Sequence, residues 1–291
     1  IIWFRNDLRI DDNPAMRVAY DNSTEVHAIF LYSKDQLQKH NEANVKLDFL
    51  IENLKCLSNL LKELNIPLSI IDSKGFDEDS EIILKTVQER DIDKVFFNKQ
   101  FGQDEQKRDK EVINILEGSG IKAESFNDQI VYEAGSIRTV QDNPYSVFTP
   151  FKRKWVENFD MEFLDIEHKY TPMNQGIFSS NISSFNFDFK IEHKVDMSIW
   201  PAGEESALNR LKDFLENSVS NYSKDRNDPI TDGTSRMSPY LALGIISSKR
   251  CILEGLKLNN FEFNSGNNGI TKWVDEIVWS EFYSNSMFSF P

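Results

Sequence analysis

The chain has 291 residues, of which 40% are hydrophobic and 27% charged, and a net charge of −14. With a mean hydropathy of −0.48, this is the composition of an ordinary soluble globular protein, neither disordered nor membrane-embedded. The acidic total argues against a chain that grips nucleic acid along its whole face, though not against a local basic pocket.

No window of roughly 18 uninterrupted apolar residues offers a membrane span. The start, IIWFRNDLRI, carries charge and no small-residue cleavage site, so it does not read as a signal peptide. It also lacks Met and begins inside an apolar run. The other end, FYSNSMFSFP, stops with a helical pattern barely finished. The expectation is a fragment. Cys56 and Cys251 fit no metal spacing and read as free buried thiols in a reducing compartment, the cytoplasm.

In chain order, short apolar runs at 1–4, 25–32, 68–72, 94–98 and 122–127 predict five strands. Between them lie amphipathic stretches. In 44–64, Leu47, Leu50, Leu54, Leu57, Leu61 and Leu64 recur at helical steps. Segments 78–90 and 103–117 behave alike, with Gly118 and Gly120 as stop signals. Strands alternating with helices predict an α/β domain over 1–128: a five-stranded, parallel, Rossmann-like sheet with helices on both faces. Ligands of such sheets sit beyond the carboxyl ends of the strands.

Residues 129–195 lose the rhythm. Pro144, Pro150 and Pro172 punctuate them, and the stretch reads as a long linker with one short helix near 148–159. From 196 to 291 the pattern is helical. Ala207, Leu208, Leu211, Phe214, Leu215 and Val219 form one stripe. Ser238 and Pro239 read as cap and first residue of a helix to about 243. Ser247 or Ser248 can cap the next, to about 257, and a last helix spans about 270–288. The second unit is therefore all-helical, and the chain ends inside it.

Ahead of one of these helices stands DGTSRMSP. Gly233 permits a close backbone approach, and Thr234, Ser235 and Ser238 offer hydroxyls. Arg236 offers a forked cation, and a helix N-terminus follows. By chemistry alone this is either an anion cradle or a plain capped loop. It is neither a Walker loop nor a GxGxxG fingerprint.

The wider string YSKDRNDPITDGTSRMSPYLALGIIS, 222–247, resembles the flavin-binding segment of the photolyase/cryptochrome family. Met237 stands where Leu is usual, and Asn227 splits the usual Arg-Asp pair. Four further stretches resemble the family in the same order: IIWFRNDLRIDDNPA at the start, FGQDEQKRDKEV (101–112), NPYSVFTPFKRKW (143–155) and WVDEIVWSEFY (273–283). The likeness is greatest to bacterial class I cyclobutane pyrimidine dimer photolyases.

The resemblance implies that the helical unit is the first, incomplete part of an FAD-binding domain. Tyr222, Thr234, Ser235, Arg236, Met237 and Ser238 would hold the diphosphate and ribose side of FAD, with Trp273 and Glu276 in the same site. It further implies that Glu276 and Trp279 face the lesion, the indole stacking on a flipped-out pyrimidine pair. Without the resemblance, both tryptophans read as core and Glu276 as the partner of a Lys. Ser280 departs from the family, which usually has Arg there. His40, Asn41, Asp104 and Glu105 would contact a folate antenna (methenyltetrahydrofolate), although Asp104 stands where Asn is usual. The implied activity is light-driven repair of cyclobutane pyrimidine dimers in DNA by an electron from reduced FAD, in a monomer. The rival implication is a cryptochrome-type blue-light receptor without repair. A third reading is a nucleotide-binding α/β protein without photochemistry.

Overall fold

The computed structural model describes residues 1–39, 41–176, 180–187 and 193–290. The five apolar runs form β1 (Ile2–Phe4), β2 (Ala28–Ser33), β3 (Leu68–Ser73), β4 (Lys94–Asn98) and β5 (Lys122–Phe126). They make one parallel sheet in the order β3-β2-β1-β4-β5. Each strand lies within three residues of its predicted bounds. β1 is central and covered on both faces, so Ile2, Trp3 and Phe4 are all buried and the strand reads as an unbroken apolar run.

Alternation along the strands divides the core. Ile2, Phe4, Ala28 and Phe30 face a cluster shared with α3 (Asn44–Glu63), whose Leu54, Leu57 and Leu61 are fully covered. Trp3, Ile29, Val95 and Phe97 face the other side. There they meet Ile83 and Val87 of α4 (Phe76–Glu89), and Val112 and Leu116 of α5 (Gln103–Gly118). Two short helices escaped the periodicity reading: α1 (Pro14–Asp21) and α2 (Lys34–Lys39). The signal for α1 was present. The Asn13 side chain accepts the Met16 N–H at 3.0 Å, and Pro14 follows in the first turn.

The segment after β5 is no loose tether. It carries α6 (Phe148–Glu157), and it buries Ile130, Val131, Tyr132, Trp155 and Ile166. The Asn181 side-chain amide donates to the Ile70 carbonyl (2.8 Å) and accepts the Ile70 N–H (2.7 Å). Ser180 Oγ accepts the Leu68 N–H at 3.0 Å. Gln175 brackets Val26 in the same way, accepting its N–H at 2.7 Å and donating to its carbonyl at 3.0 Å.

The helical half comprises α7 (Glu204–Asn217), α8 (Tyr222–Asp225), α9 (Ser238–Ala242), α10 (Ser248–Leu258) and α11 (Asn268–Ser289). Ser247, not Ser248, caps α10, its Oγ accepting the Arg250 N–H at 2.8 Å. The expected cap of α9 is displaced by one residue. Met237 occupies the cap position, and Ser238 and Pro239 lie inside the first turn. No helix among the described residues is long and apolar enough to cross a membrane.

The loop after β1 joins the two halves. Arg9 is buried; its guanidinium binds the Asp128 carboxylate and donates to the carbonyls of Gly244 (3.0 Å) and Asp12 (2.5 Å). The Glu204 carboxylate at the start of α7 accepts the N–H groups of Ile10 and Asp11, each at 3.0 Å. Arg250 of α10 pairs with Asp11 at 2.9 Å and with Glu167 at 2.7 Å. Gly244 has φ +60°, and a Cβ there would lie 2.1 Å from the Asn6 carbonyl oxygen, so only glycine lets the loop approach. Burial pushes the Asp12 carboxyl up to about 6.

Candidate functional site

Tyr222 opens α8 and is buried, its ring edge-on to Phe214 of α7 with centroids 5.8 Å apart. Burial raises its phenol above the usual range. One turn later the Arg226 guanidinium lies 5.4 Å from the Tyr222 ring centroid. It reaches across to α11 and binds the Glu276 carboxylate, and that bond holds Arg226 above its ordinary pKa. Lys272, one turn earlier on α11, stands 3.6 Å from the same carboxylate. Glu276 thus bridges two cations at a half-exposed surface and is the Lys partner that chemistry alone suggested, with Arg226 added.

The loop between α8 and α9 folds back on α8. The Asp228 carboxylate accepts the Ile230 N–H at 3.0 Å and the Thr231 hydroxyl at 2.7 Å, which holds it below the usual carboxylate range. A Cβ on Gly233 would fall 2.3 Å from the Asp225 Cβ, so the close approach read from the sequence is required. Arg236 takes a left-handed backbone (φ +52°) and pairs with Asp232 at 2.8 Å. Met237 is buried and anchors the loop, while Thr234 and Ser238 are exposed and Ser235 is half-buried. The loop therefore plants one apolar side chain and presents hydroxyls to solvent.

Trp273 and Trp279 of α11 carry the rest of the sequence-predicted site. Trp273 is buried against Phe214 at 5.4 Å. It is seated beside Gly255 of α10, where a Cβ would come within 3.1 Å of the indole. Tyr222 and Trp273 thus meet on one phenyl ring. Trp279 lies on the flank facing α6, stacked on Phe148 with centroids 3.8 Å apart and planes 12° apart. It remains half-buried, and Ser280 beside it is exposed. α11 is therefore flanked by α8 on the side of Glu276 and by α6 on the side of Trp279.

Sequence reasoning missed Glu281. Its buried carboxylate accepts the successive N–H groups of Val131 and Tyr132, each at 3.0 Å, and burial pushes it up to about 7. One turn on, Asn285 accepts the Gly135 N–H at 2.8 Å. The signal was a carboxylate and an amide four residues apart on an otherwise apolar helix face.

The antenna candidates separate. His40 lies outside the described residues, and Asn41 is exposed with φ +51°. Asp104 lines a cavity of about 500 Å³ beyond the carboxyl ends of β2, β3 and β4, with Asp35, Lys39, Lys74, Phe76, Lys107 and Arg108 among its walls. Glu105 instead folds back on its helix start: its Oε2 would be 2.0 Å from a Cβ on Gly102. Behind the cavity, Arg5 and Arg108 share the Asp109 carboxylate (2.7 and 2.8 Å) and lie over Trp3, at 4.4 and 4.8 Å from its centroid. Burial lowers Arg5 to about 10. A larger cavity, about 760 Å³, lies between α7 and α10 over Leu208, Leu211, Leu215 and Leu258, and none of the predicted site residues lines it.

Comparison with known proteins follows the same outline. The family model described as DNA photolyase matches residues 1–172. A deoxyribodipyrimidine photo-lyase of Vibrio cholerae is 29% identical, over 98% of this chain and 60% of its own length. One of Buchnera aphidicola is 31% identical, over 100% of this chain and 60% of its own. The chain thus spans about three fifths of the curated relatives it matches. Among solved structures, a bacterial class III photolyase from Agrobacterium tumefaciens superposes with a TM-score of 0.82 at 26% identity, covering 100% of this chain and 59% of that one. A Synechocystis cryptochrome shares the fold at a TM-score of 0.77 and 19% identity, over 99% of this chain and 61% of that one.

Proposed function

Because the chain belongs to the DNA photolyase family, we propose that the protein is a deoxyribodipyrimidine photo-lyase. On this reading it repairs cyclobutane pyrimidine dimers in DNA with light. The observation that carries the reading is the surface of α11. There a half-exposed indole, Trp279, and a half-exposed carboxylate, Glu276, stand three residues apart on one helix. A flat ring stacks on extruded bases, and a carboxylate accepts hydrogen bonds from a base edge. One solved relative is a class III photolyase, so the likeness reaches the photolyases as a family and does not single out class I.

The residues fit the near half of an FAD site. Three hydroxyls and a guanidinium occur within five residues, on a loop whose Gly233 allows close backbone packing. Thr234, Ser235, Arg236 and Ser238 would hold the diphosphate and ribose. Met237 would keep the loop planted. Tyr222 and Trp273, joined through Phe214, would back the cofactor. Bound in its reduced form, FAD would supply the light-driven electron. The protein's part is to bind and orient the lesion. Trp279 would offer the stacking surface. Glu276, held by Arg226 and Lys272, would present its remaining lone pairs to a base edge. Where the family usually has Arg, Ser280 offers no cation, so DNA or FAD would be held by one charge-assisted contact fewer.

The domain division that accompanies this reading is 1–128 for an antenna-binding α/β domain, 129–195 for a linker and 196–291 for FAD-binding helices. A folate antenna is proposed for the 500 Å³ cavity at the strand ends, where Asp104 and the surrounding lysines would meet its pterin and its carboxylates. Cys56 and Cys251 are free, in keeping with a reducing compartment; a cytoplasmic monomer is the corresponding proposal.

The test is illumination of the full-length protein with an oligonucleotide carrying one thymine dimer. Loss of the dimer under blue light is expected, and its abolition by Glu276→Ala or Trp279→Ala would assign the residues. A yellow protein that binds flavin yet leaves the dimer intact would overturn the repair reading in favour of a cryptochrome-type receptor.

A further inference from the structure

The segment that carries α6 supplies none of the residues assigned to cofactor or lesion, yet α11 grips it at five points. Glu281 accepts two of its backbone N–H groups and Asn285 a third. Lys152 pairs with Asp275 at 2.6 Å in a largely buried contact. Phe151 packs on Phe282 with centroids 5.3 Å apart. Together these bonds deliver Phe148, the first residue of α6, onto the indole of Trp279.

The geometry of that contact is unusual for two free rings. Aromatic pairs prefer offset or edge-to-face arrangements. Around Trp279 the other neighbours obey this: Phe282 is nearly perpendicular (83°) and Tyr283 tilted (31°), both at 5.6 Å. Phe148 instead lies almost parallel, 12° off, at a centroid separation of only 3.8 Å. A near-sandwich persists when the surrounding contacts impose it, and the clasp between α11 and residues 131–152 is that constraint. With one indole face covered by Phe148, the orientation of the remaining exposed surface is set by the Phe148 plane.

We propose that Phe148 is a positioning residue: it fixes the plane in which Trp279 meets an extruded pyrimidine pair. The inference rests on the reading of Trp279 as the lesion-stacking residue. Phe148 itself touches neither DNA nor cofactor. It acts as a backstop, so that a base arriving on the open side meets a ring already held in the stacking plane. A pre-oriented ring loses less rotamer freedom on binding.

The experiment compares Phe148→Ala, Phe148→Leu and Phe148→Tyr in the full-length protein. Near-UV circular dichroism, taken as a difference against Trp279→Phe, isolates the signal of the Trp279 indole. Affinity for a dimer-containing oligonucleotide is measured relative to the undamaged one. Phe148→Ala and Phe148→Leu should lose the Trp279 dichroic signal and weaken dimer selectivity about three- to tenfold, the range expected for losing one aromatic pair. Phe148→Tyr, which keeps the ring, should restore both. Phe148→Leu preserves bulk, so a folded Leu variant keeps the test valid if the Ala variant unfolds. An unchanged dichroic signal in the Leu variant, or unchanged selectivity where Trp279→Ala abolishes it, would overturn the inference. If Trp279→Ala itself leaves dimer affinity unaltered, the reading of Trp279 fails, and the dichroic arm still decides whether Phe148 sets its plane.

Discussion

The loop after β1 and the surface of α11 are both built on arginine–carboxylate pairs, and burial gives the two sets different work. In the loop, the side chains of Arg9 and Asp128 are 2% and 3% exposed, and Arg9 also ties down two carbonyls from separate parts of the chain. On α11, the side chains of Arg226 and Glu276 are 26% and 32% exposed and keep contact with water. A buried pair is strongly coupled, because removing one partner strands the other in a medium that cannot solvate it. A half-exposed pair contributes little to stability and can exchange its partners for a ligand's. The first arrangement suits a hinge that must not open, the second a surface that must bind.

Four measurements test this contrast. The largest effect is expected for Arg9→Met, which leaves Asp128 buried without its cation. A loss of about 3–5 kcal/mol in urea unfolding is expected, with partial recovery in the double variant Arg9→Met, Asp128→Leu. A loss below about 1 kcal/mol would place Arg9 in the same class as the α11 pairs. Next, Gly244→Ala forces a Cβ into the Asn6 carbonyl at a left-handed position and should cost about 1–3 kcal/mol. Calorimetric unfolding would report this as a lower Tm.

Glu281 joins the two classes, since it is buried on α11 but held by backbone N–H groups with no salt-bridge partner among the described residues. Its carboxyl is raised to about 7 from an ordinary value near 4.5. Between these values the folded protein holds a proton that the unfolded chain has released. Stability from this group is therefore full below about 4.5 and declines as pH rises to about 7, by at most about 1.4 kcal/mol per pH unit. Glu281→Gln should remove that slope, seen as a difference in urea midpoint from the unsubstituted protein that changes between about pH 4.5 and 7 and levels off on either side. The smallest stability effect is expected for Glu276→Ala, below about 1 kcal/mol, although on the proposed reading the same change should abolish dimer repair.

Much of the fold was legible because its signals are local. The Leu stripe of α3 and the doubly covered strands declare themselves by period and by continuous apolarity. α1 was overlooked because eight residues hold too few turns for a period, although Asn13 and Pro14 mark its start. The segment at 129–195 read as a surface connection because its buried groups are satisfied by single side chains from far away. Glu281 holds residues 150 positions earlier, and no spacing in the sequence encodes that. The same limit applied to the site. The loop at 233–238 was recognisable from composition, whereas the pairing of Glu276 with Arg226, and of Trp279 with Phe148, depends on helices brought together only by folding.

The amide of Asn181 on Ile70 and the hydroxyl of Ser180 on Leu68 have a consequence for how the protein behaves among copies of itself. β3 is the last strand on its side of the sheet, and an outer strand with free N–H and C=O groups is a template for another chain. Here the Leu68 and Ile70 groups of that edge are engaged by the side chains of Ser180 and Asn181, and the Leu68 carbonyl by the Asn181 backbone N–H at 3.3 Å. Among the described residues that edge is thus partly covered and less open to edge-to-edge growth, while β5 forms the edge on the other side of the sheet. Replacing Asn181 with an apolar residue would free the Ile70 groups during folding, and a rise in aggregation measured by light scattering is expected.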